Sequence, residues 1–525
     1  MPQKRLSTLL ADVAPREIHG TADPLVHGVS YDSRTVSQGS LFVAMAGFHV
    51  DGHAYIADAL ARGAVAVVLE RADAAPLNAA DTPFIVVDDA RRAISRIAAA
   101  FFDHPSRDLF VIGITGTDGK SSTVSFTEQI LTRAGYQTGL ISTVTVKTEE
   151  TIRRNPNRQS TPEAVELHGY LADMREAGKE IAVVEATSHG LSMRTARLAD
   201  VRFDAGVFTN LSHEHLEFHG SFEQYRSDKA NLFRALDGAG KHAFACLNAG
   251  DANAVYMAEA TSKPVHWYGI ESAEGAPAAV SGLDLAARDL RPDRDGTTFT
   301  LADADGRTRS VRVPMPGSFQ VENVLAALLA ASRATGRSAI ELADAVEHLV
   351  PVEGRLVPVG RNTPFSVVVD YAHTPASYEK LFPIIRASTP GRLIAVFGSA
   401  GERDIEKRPL QGAVAARHCE LIVLCDEDPR GEDPAGILRD IAAGITGANP
   451  QLREGHDYII IEDRRTAIRA AVDRAGPGDT IVLLGKGHET SIIYADGPHP
   501  WNEAEVALDV LIEAGYEHPR QEAAT

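Results

Sequence analysis

The residues 113–122 carry the clearest chemical pattern in this chain. They read Gly-Ile-Thr-Gly-Thr-Asp-Gly-Lys-Ser-Ser, and they lie between the apolar stretch 109–112 and a segment with helical spacing at 123–134. A glycine turn between a strand and a helix lets backbone N–H groups converge on an anion, Lys120 adds a positive charge, and Ser121 can bind Mg²⁺. Ile114 takes the place of the first glycine in the general G-x-x-x-x-G-K-[ST] pattern. The run predicts a phosphate-binding loop, with an ordinary glycine-rich turn as the alternative, and it leaves the reaction open.

Polar residues follow two further apolar strands, where a parallel sheet collects its ligands. Glu185 ends the stretch 181–185 and is a candidate metal ligand, with a solvated loop acid as the alternative. Three histidines follow the stretch 205–209, namely His213, His215 and His219. Their spacing fails the H-E-x-x-H zinc pattern because Glu217 stands at the critical position. We therefore expect one histidine to join Glu185 around Mg²⁺ and the other two to be structural or exposed to solvent.

The elements that must position these groups form three α/β units. Residues 108–355 alternate strands and helices, which predicts a mostly parallel sheet, followed by an antiparallel segment at 284–313. Buried strands are expected at 41–45, 64–69, 84–87, 109–112, 181–185, 205–209, 366–370, 393–397, 420–424 and 480–484, and helices at 54–62, 90–102, 123–134 and 162–177. We predict an α/β protein with an N-terminal domain (1–107), a central P-loop domain with a parallel sheet (108–355) and a Rossmann-like C-terminal domain (356–525).

The composition is that of a globular chain with several domains. Of its 525 residues, 44% are hydrophobic and 23% are charged, which leaves no case for disorder. The net charge of −19 argues against a nucleic-acid partner, because a phosphate backbone would be repelled. Cys246, Cys419 and Cys425 are too scattered for a disulfide framework or a metal site. Since neither a secretory signal nor a membrane-spanning stretch is evident, we expect a cytoplasmic enzyme without membrane insertion.

A series of short motifs occurs along the whole chain in a fixed order. These are Asp32-Ser-Arg34, Thr115-Gly-Thr-Asp-Gly-Lys-Ser121, Glu185-Ala-Thr-Ser-His189, Thr209-Asn-Leu-Ser-His-Glu-His215, Lys229, Gly354-Arg355, Asp370-Tyr-Ala-His-Thr-Pro375, Gly401-Glu-Arg-Asp404, Asp428-Pro-Arg430 and Gly485-Lys-Gly-His-Glu489. In this order and spacing the chain resembles the Mur ligase family. Within that family it is similar to the enzymes that add the third residue of the peptidoglycan stem peptide.

The resemblance implies an ATP-dependent ligase that uses Mg²⁺. ATP would phosphorylate the D-glutamyl carboxylate of UDP-N-acetylmuramoyl-L-alanyl-D-glutamate, and the amine of an amino acid would attack the acyl phosphate. Such chemistry needs mainly positioning and charge neutralisation. By resemblance, the catalytic residues are Lys120, Glu185, His215 and Lys229, and the Mg²⁺ ligands are Ser121, Glu185, His215 and Lys229. Lys229 would be carbamylated, which turns a cation into an oxygen ligand; taken alone, it would be a surface lysine on a helix.

The resemblance also assigns two substrate sites. The ATP site would comprise Thr115, Gly116, Thr117, Asp118, Gly119, Lys120, Ser121, Asn323, Arg355, Asp370 and His373. The UDP-N-acetylmuramoyl-dipeptide site would comprise Ser33, Phe48, His49, Val50, Ser160, Thr161, Thr187 and Arg197. Arg197 matches less closely, because this chain has extra residues between Leu191 and it. Asp118 and Thr187 replace the family's usual asparagine and serine, and both are small and polar enough to keep the role.

The third domain would select the added amino acid, through Arg403, Asp428, Arg430, Gly485 and Glu489. Diaminopimelate has a second amino-acid head, whose carboxylate needs a cation and whose ammonium needs an acid. Arg430 is kept from the family's Asp-Asn-Pro-Arg diaminopimelate signature. Asp428, however, replaces its asparagine and adds a negative charge that favours the plain ammonium of lysine or ornithine, and the loop 401–404 also looks more like that of lysine enzymes. We expect meso-diaminopimelate because a buried, unpaired Arg430 would be costly, with L-lysine and L-ornithine as alternatives.

Two other functions stay open from the sequence. A folylpolyglutamate synthetase-like ligase would share the mechanism, but the Asp32-Ser-Arg34 module fits a nucleotide-sugar substrate. A P-loop ATPase or GTPase switch would have no evident use for Glu185, His215 and Lys229, which a two-metal acyl-phosphate site requires. Because the phosphate loop and the amino-acid pocket fall in different predicted domains, we expect domain closure with a hinge near Arg355. The expected partners are small-molecule substrates, and the expected state is a monomer.

Overall fold

The structure is a computed structural model that describes residues 2–47, 50–74, 82–157, 159–212, 214, 216–240, 242–271, 282–293, 296–315, 317–360 and 362–517. The chain forms two compact units. The first comprises Met1–Arg288, Leu301–Arg309 and Glu322–Ala345, and the second comprises Asp289–Thr300, Ser310–Val321 and Val346–Thr525. Among the helices of the described residues, none has the length and apolar composition that a membrane crossing requires.

The N-terminal part of the first unit is built around a five-stranded sheet. The strands of this N-terminal part, two of which lie outside the five-stranded sheet, are β1 (Lys4–Arg5), β2 (Glu17–His19), β3 (Leu25–Val26), β4 (Gly28–Ser30), β5 (Ser40–Val43), β6 (Ala64–Leu69) and β7 (Phe84–Val86). Its helices are α1 (Leu6–Leu9), α2 (Ile56–Ala61) and α3 (Ala90–Phe101). The sheet order is β2-β7-β6-β5-β4, and β1 pairs separately with β3. β5 and β6 are parallel and consist almost entirely of buried residues, as strands covered on both faces must.

The next part of the chain contributes an eleven-stranded sheet. Its strands are β8 (Phe110–Thr115), β9 (Thr138–Ile141), β10 (Thr145–Lys147), β11 (Arg153–Arg154), β12 (Ile181–Glu185), β13 (Ala205–Phe208), β14 (Phe244–Asn248), β15 (Val265–Ile270), β16 (Leu285–Asp293), β17 (Gly296–Asp303) and β18 (Thr308–Val313). The helices are α4 (Lys120–Arg133), α5 (Ala164–Glu176), α6 (Ser188–Leu191), α7 (Leu216–His219), α8 (Phe222–Leu236), α9 (Ala254–Ala258), α10 (Ser318–Thr335) and α11 (Ala339–Leu342).

The strand order of this sheet is β11-β10-β9-β12-β8-β13-β14-β15-β16-β17-β18. The central run from β9 to β16 is parallel, as the sequence predicts. Parallel strands end at one common edge, so the residues after β8, β12 and β13 come together there. These are the positions of the phosphate loop, Glu185 and Thr209.

The C-terminal part of the second unit has a six-stranded sheet of order β19-β20-β24-β21-β22-β23. The strands are β19 (Val357–Pro358), β20 (Ser366–Asp370), β21 (Leu393–Phe397), β22 (Leu421–Leu424), β23 (Tyr458–Ile460), β24 (Thr480–Leu484) and a hairpin of β25 (Ser491–Tyr494) and β26 (Gly497–Pro500). The helices are α12 (Pro375–Ala387), α13 (Lys407–His418), α14 (Pro434–Ala448), α15 (Arg464–Val472) and α16 (Glu503–Glu513). Alternate strand residues face two separate cores, one with α12, α13 and α14 and one with α15 and α16. This is the predicted Rossmann-like arrangement.

The predicted α/β class is confirmed, and the four predicted helices form within three residues of their predicted bounds. Helix α4 begins at Lys120 rather than at 123, because Gly119 adopts a left-handed conformation and lets the helix start directly after the loop. Residues 54–62 form a 3₁₀ turn (Gly52–Tyr55) followed by α2. The domain boundaries at 107 and 355 stay predictions.

Candidate active site

Two glycines with positive φ shape the phosphate loop between β8 and α4. Gly116 has φ +153° and Gly119 has φ +79°. A Cβ added to Gly116 would clash with Thr209 Oγ1, and one added to Gly119 would clash with Asn323 Oδ1. The loop therefore needs glycine at both places, and the first N–H groups of α4 open towards it. A helix N-terminus of this kind binds anions.

The residues directly after β13 hold the phosphate loop from the side. Thr117 N donates to Asn210 O (2.8 Å), and Asp118 N donates to Asn210 Oδ1 (2.9 Å). Thr209 Oγ1 donates to Asp118 O (2.7 Å), and the Thr117 and Tyr225 hydroxyls lie 3.0 Å apart. These bonds fix the loop conformation without a ligand, so binding a ligand costs little additional conformational entropy.

Glu185 is buried at the end of β12, against the first turn of α4. Ser121 Oγ donates to its Oε2 at 2.9 Å, and Thr143 donates to both carboxylate oxygens, from N at 2.8 Å and from Oγ1 at 2.9 Å. All these donors are neutral, so they solvate the carboxylate without cancelling its charge. Carboxylate and hydroxyl oxygens beside a phosphate-binding helix terminus are ligands that suit Mg²⁺. The donor set therefore fits a magnesium ion.

Lys229 lies on α8 and is buried, with 1% of its surface exposed. Its Nζ donates to Gly116 O at 2.5 Å and lies 4.6 Å from the centre of the Tyr225 ring. Burial, with the nearby charge of Lys120, lowers the pKa of Lys229 well below that of an ordinary lysine. A neutral amine can react with CO₂, whereas an ammonium cannot. The alternative of a surface lysine is wrong.

Of the three histidines that follow β13, the structure describes His219. His219 is buried between Asp228, 2.7 Å from Nδ1, and the Ser188 hydroxyl, 3.1 Å from Nε2, which makes it structural. His213 and His215 lie outside the described residues, as do Phe48 and His49. In the described part of the chain, no three His, Cys, Asp or Glu side chains group to hold a metal. Of the predicted Mg²⁺ ligands, the structure therefore describes Ser121, Glu185 and Lys229.

Three residues predicted to bind the dipeptide cluster beside Glu185. Thr161 Oγ1 donates to Glu185 O at 2.9 Å and lies 2.8 Å from Thr187 Oγ1. Arg197 Nη1 donates to Thr161 O at 3.2 Å. Of the others, Ser160 is half-buried, Ser33 is buried in a 3₁₀ turn (Ser33–Thr35) and Val50 is exposed.

The residues predicted to hold ATP from outside the loop fall in both units. In the first unit, Asn323 Oδ1 accepts a bond from Thr123 Oγ1 at 3.3 Å, beside Gly119. In the second unit, Arg355 Cζ lies 5.3 Å from the centre of the Tyr371 ring, and Tyr371 O lies 2.9 Å from His373 Nδ1. Asp370 accepts bonds from Leu356 N (2.9 Å) and Ala372 N (2.8 Å). Burial lowers the pKa of His373, so this imidazole is neutral at pH 7.

Lys486 is the centre of the predicted amino-acid site in the second unit. It is fully buried, and its Nζ donates to Asp428 Oδ1 at 2.7 Å and to Glu489 Oε2 at 2.5 Å. Arg430 Nη2 lies 4.0 Å from Asp428 Oδ2, and 26% of the Arg430 side chain is exposed. Arg403 is exposed on its loop. Arg430 is therefore partly exposed and faces the Asp428 carboxylate, while its Nε is buried and has no hydrogen-bond partner within the described residues.

Sequence reasoning missed Glu427, which lies between these groups. Its Oε2 is buried and has no hydrogen-bond partner within the described residues. The same oxygen faces Gly485, where an added Cβ would lie 2.8 Å from it. Burial raises the pKa of Glu427 to about 7, although Lys407, Arg464 and Lys486 act against the rise. The signal was present in the sequence, because Glu427 occupies the place of the acid in the Asp-Asn-Pro-Arg signature.

Three family models match successive segments of the chain. The Mur ligase family catalytic domain matches residues 25–102, the Mur ligase middle domain matches 114–331, and the Mur ligase glutamate ligase domain matches 354–487. A UDP-N-acetylmuramyl-tripeptide synthetase of Roseiflexus sp. (strain RS-1) is 47% identical over 94% of this chain and 96% of that protein. The chain belongs to the Mur ligase family.

Two further comparisons support this membership. The UDP-N-acetylmuramoyl-L-alanyl-D-glutamate–2,6-diaminopimelate ligase of Geobacillus kaustophilus (strain HTA426) is 37% identical over 97% of this chain and 100% of that protein. A solved structure of a ligase with the same name is 29% identical and has a TM-score of 0.66. The match covers 99% of this chain and 100% of the chain in that structure. As a Mur ligase, the chain is an ATP-dependent, Mg²⁺-using enzyme that forms peptide bonds in peptidoglycan precursors. The expected family and cofactors are confirmed, and the ATPase switch is excluded.

We expect Gly119→Ala to weaken binding of an ATP analogue by this Mur ligase at least tenfold. The new Cβ would push Asn323 away from the loop and would hold a residue other than glycine at φ +79°. Calorimetric titration with a non-hydrolysable ATP analogue measures the effect. Gly135→Ala is the matched control, because Gly135 follows the other end of α4 at φ +97° with open space around it. Equal weakening in both variants would contradict the role of the clash.

Proposed function

We propose that this Mur ligase joins a diamino acid to the D-glutamate of UDP-N-acetylmuramoyl-L-alanyl-D-glutamate through an acyl phosphate. One observation carries the proposal: Thr161 bonds to both the Glu185 backbone and Thr187. The residues proposed to contact the dipeptide therefore lie next to the residues suited to phosphate and Mg²⁺. A carboxylate held there would be in reach of a bound γ-phosphate, which is what acyl-phosphate formation requires.

Each residue of the phosphate site would have a separate role in this reaction. The N–H groups of the loop and the ammonium of Lys120 would bind the phosphates of ATP and stabilise the charge that moves during transfer. Ser121, Glu185, His215 and carbamylated Lys229 would hold Mg²⁺, which supplies charge neutralisation when bound. Lys229 would become a carbamate when its neutral Nζ attacks CO₂, forming a C–N bond and releasing a proton to solvent.

The remaining predicted residues complete the proposal. Asn323, Arg355, Asp370 and His373 would bind the nucleotide, and Ser33, Phe48, His49, Val50, Ser160, Thr161, Thr187 and Arg197 would bind the UDP-N-acetylmuramoyl-dipeptide. Arg403, Asp428, Arg430, Gly485 and Glu489 would surround the incoming amino acid, whose amine would attack the acyl carbon and expel phosphate. We place the enzyme in the cytoplasm, where ATP is available, and propose domains 1–107, 108–355 and 356–525 that act as a monomer.

Two observations in the second unit lead us to propose L-lysine or L-ornithine, the alternatives to the expected meso-diaminopimelate, as the added amino acid. Asp428 faces Arg430 and supplies part of the counter-charge that a distal carboxylate would otherwise supply. The unpartnered carboxylate oxygen of Glu427 is suited to a distal ammonium instead. The relatives named as diaminopimelate ligases do support diaminopimelate, but the relative at 47% identity has a name that specifies no amino acid.

A panel of amino acids in a phosphate-release assay tests the proposal. With UDP-N-acetylmuramoyl-L-alanyl-D-glutamate and ATP, we expect kcat/KM for L-lysine or L-ornithine to exceed that for meso-diaminopimelate at least tenfold. Without the amino acid, phosphate release should be close to background. Turnover with meso-diaminopimelate alone would overturn the choice of amino acid. Failure of the nucleotide-dipeptide to support release with any of the three would overturn the proposed function.

A further inference from the structure

Two groups bind the terminal nitrogens of the Arg197 guanidinium, and the described residues offer no acceptor for its third nitrogen, Nε. Its Nη2 lies 2.8 Å from Glu163 Oε1, and its Nη1 donates to Thr161 O at 3.2 Å. Its Nε is buried and has no hydrogen-bond partner in the part of the chain that the structure describes. Arg197 is 9% exposed, so its orientation is set by these contacts rather than by solvent. Because buried polar groups are normally hydrogen-bonded, the unpartnered N–H of this fixed guanidinium is suited to donate to a ligand.

Glu163 is committed to Arg197 rather than to its own helix. It stands at the N-cap position of α5, yet its side chain makes no capping hydrogen bond. Glu166, one turn further along, also interacts electrostatically with Arg197, but its Oε1 accepts a bond from the Tyr31 hydroxyl at 2.9 Å. Within the described residues, Glu163 is the acid that lies at ion-pair distance from the Arg197 guanidinium, and the 18% exposure of its side chain limits screening of this contact by solvent.

Arg197 is connected through Thr161 to Glu185, beside which the proposed substrate would react. Thr161, which accepts the Arg197 bond, also donates to Glu185 O. The D-glutamate of the proposed substrate has two carboxylates, of which only one becomes the acyl phosphate. The other stays a carboxylate throughout the reaction, and a guanidinium is the side chain that best matches it.

We propose that Glu163 is a positioning residue that directs the Nε of Arg197 to the unreacted carboxylate of the D-glutamate. The pair thereby makes the enzyme select a substrate with a carboxylate over one with a carboxamide at this place. This inference rests on the proposed function. Without Glu163, Arg197 would keep its backbone contact to Thr161 and the more distant charge of Glu166, but it would lose the ion pair that fixes its orientation and could rotate away from the substrate.

The test compares two substrates that differ at one group. One is UDP-N-acetylmuramoyl-L-alanyl-D-glutamate, and the other carries a carboxamide in place of the unreacted carboxylate. We expect the wild-type enzyme to prefer the carboxylate by about 10- to 100-fold in kcat/KM, as loss of a charged hydrogen bond predicts. In Glu163→Gln the preference should fall to about threefold, through a higher KM for the carboxylate substrate with kcat nearly unchanged. Arg197→Lys should lose the preference in the same way.

Two controls keep the inference falsifiable. Glu150→Gln breaks an ion pair of the same unit, since Lys179 Nζ lies 2.5 Å from Glu150 Oε1, and it should leave the preference unchanged. A Glu163→Gln enzyme that keeps the wild-type preference would overturn the inference, whether or not its melting temperature falls. So would an unchanged preference in Arg197→Lys. Neither result affects the proposed function, which fails only if the wild-type enzyme does not use the carboxylate substrate.

Discussion

Replacing Lys229 with alanine is expected to lower kcat by about 10³-fold, because a carbamate ligand to Mg²⁺ is worth several kcal/mol of transition-state stabilisation. The reason lies in the surroundings of the amine. Lys229 is buried with a backbone carbonyl and an aromatic ring, and its pKa is lowered well below that of a free lysine. The uncharged amine is the form that captures CO₂, and only the carbamate brings a negative oxygen to the phosphate loop.

Three measurements distinguish this role from a structural one. Acetate or another short carboxylate added to Lys229→Ala should restore part of the activity, because it can fill the space of the carbamate. The wild-type enzyme should lose activity in buffer depleted of CO₂ and regain it with bicarbonate. Arg234→Ala, on the exposed side of α8, should change neither property. Full activity of Lys229→Ala, or loss that neither carboxylate nor bicarbonate influences, would contradict the carbamate.

The conformation of the phosphate loop could be predicted because a local rule determines it. A strand, a glycine turn and a Lys-Ser pair specify an anion site within ten residues, and the structure shows the turn and the helix start where these rules require. Glu185 was predictable for a related reason, since parallel strands bring their carboxyl ends to one edge. Both predictions used only spacing along the chain.

The contacts that support those residues could not be predicted, because they join segments far apart in the sequence. Thr143 donates twice to Glu185 across 42 positions, and Asn210 holds Asp118 across 92. Neither residue belongs to a pattern with recognisable chemistry. Glu163 is similar, since a glutamate before a helix looks like a favourable charge at an N-terminus. Only the tertiary structure shows that its carboxylate is directed to Arg197.

The predicted amino-acid site shows why a residue taken from a motif does not by itself identify the substrate. Arg430 was predicted from a motif, but its burial and its partners depend on Asp428, Lys486 and the neighbouring hairpin. From the sequence alone, the charge of Asp428 indicates that its carboxylate faces the substrate. In the structure Asp428 accepts a hydrogen bond from Lys486, and Glu427 has a buried carboxylate oxygen without a hydrogen-bond partner among the described residues.

Glu185→Gln is expected to lower kcat/KM by about 10³-fold and to raise the Mg²⁺ concentration needed for half-maximal activity at least tenfold. The amide keeps the size of the carboxylate but removes its charge. Its NH₂ group must also face one of the donors, Ser121 or Thr143, that the carboxylate accepts. Initial rates over a range of Mg²⁺ concentrations, with ATP and the nucleotide-dipeptide saturating, measure both effects.

The magnesium dependence is what separates a ligand from a packing residue. Asp204→Asn is the control, because Asp204 lies at the opposite edge of the same sheet, where its Oδ2 accepts a bond from Val111 N at 3.0 Å. If Glu185 only supported α4, both variants would lose stability and neither would change its response to Mg²⁺. If it binds the metal, Glu185→Asp should fall between wild type and Glu185→Gln, because it keeps the charge but withdraws it from Ser121 by one methylene. An unchanged half-maximal concentration in Glu185→Gln would contradict the proposed ligand, whatever happened to the rate.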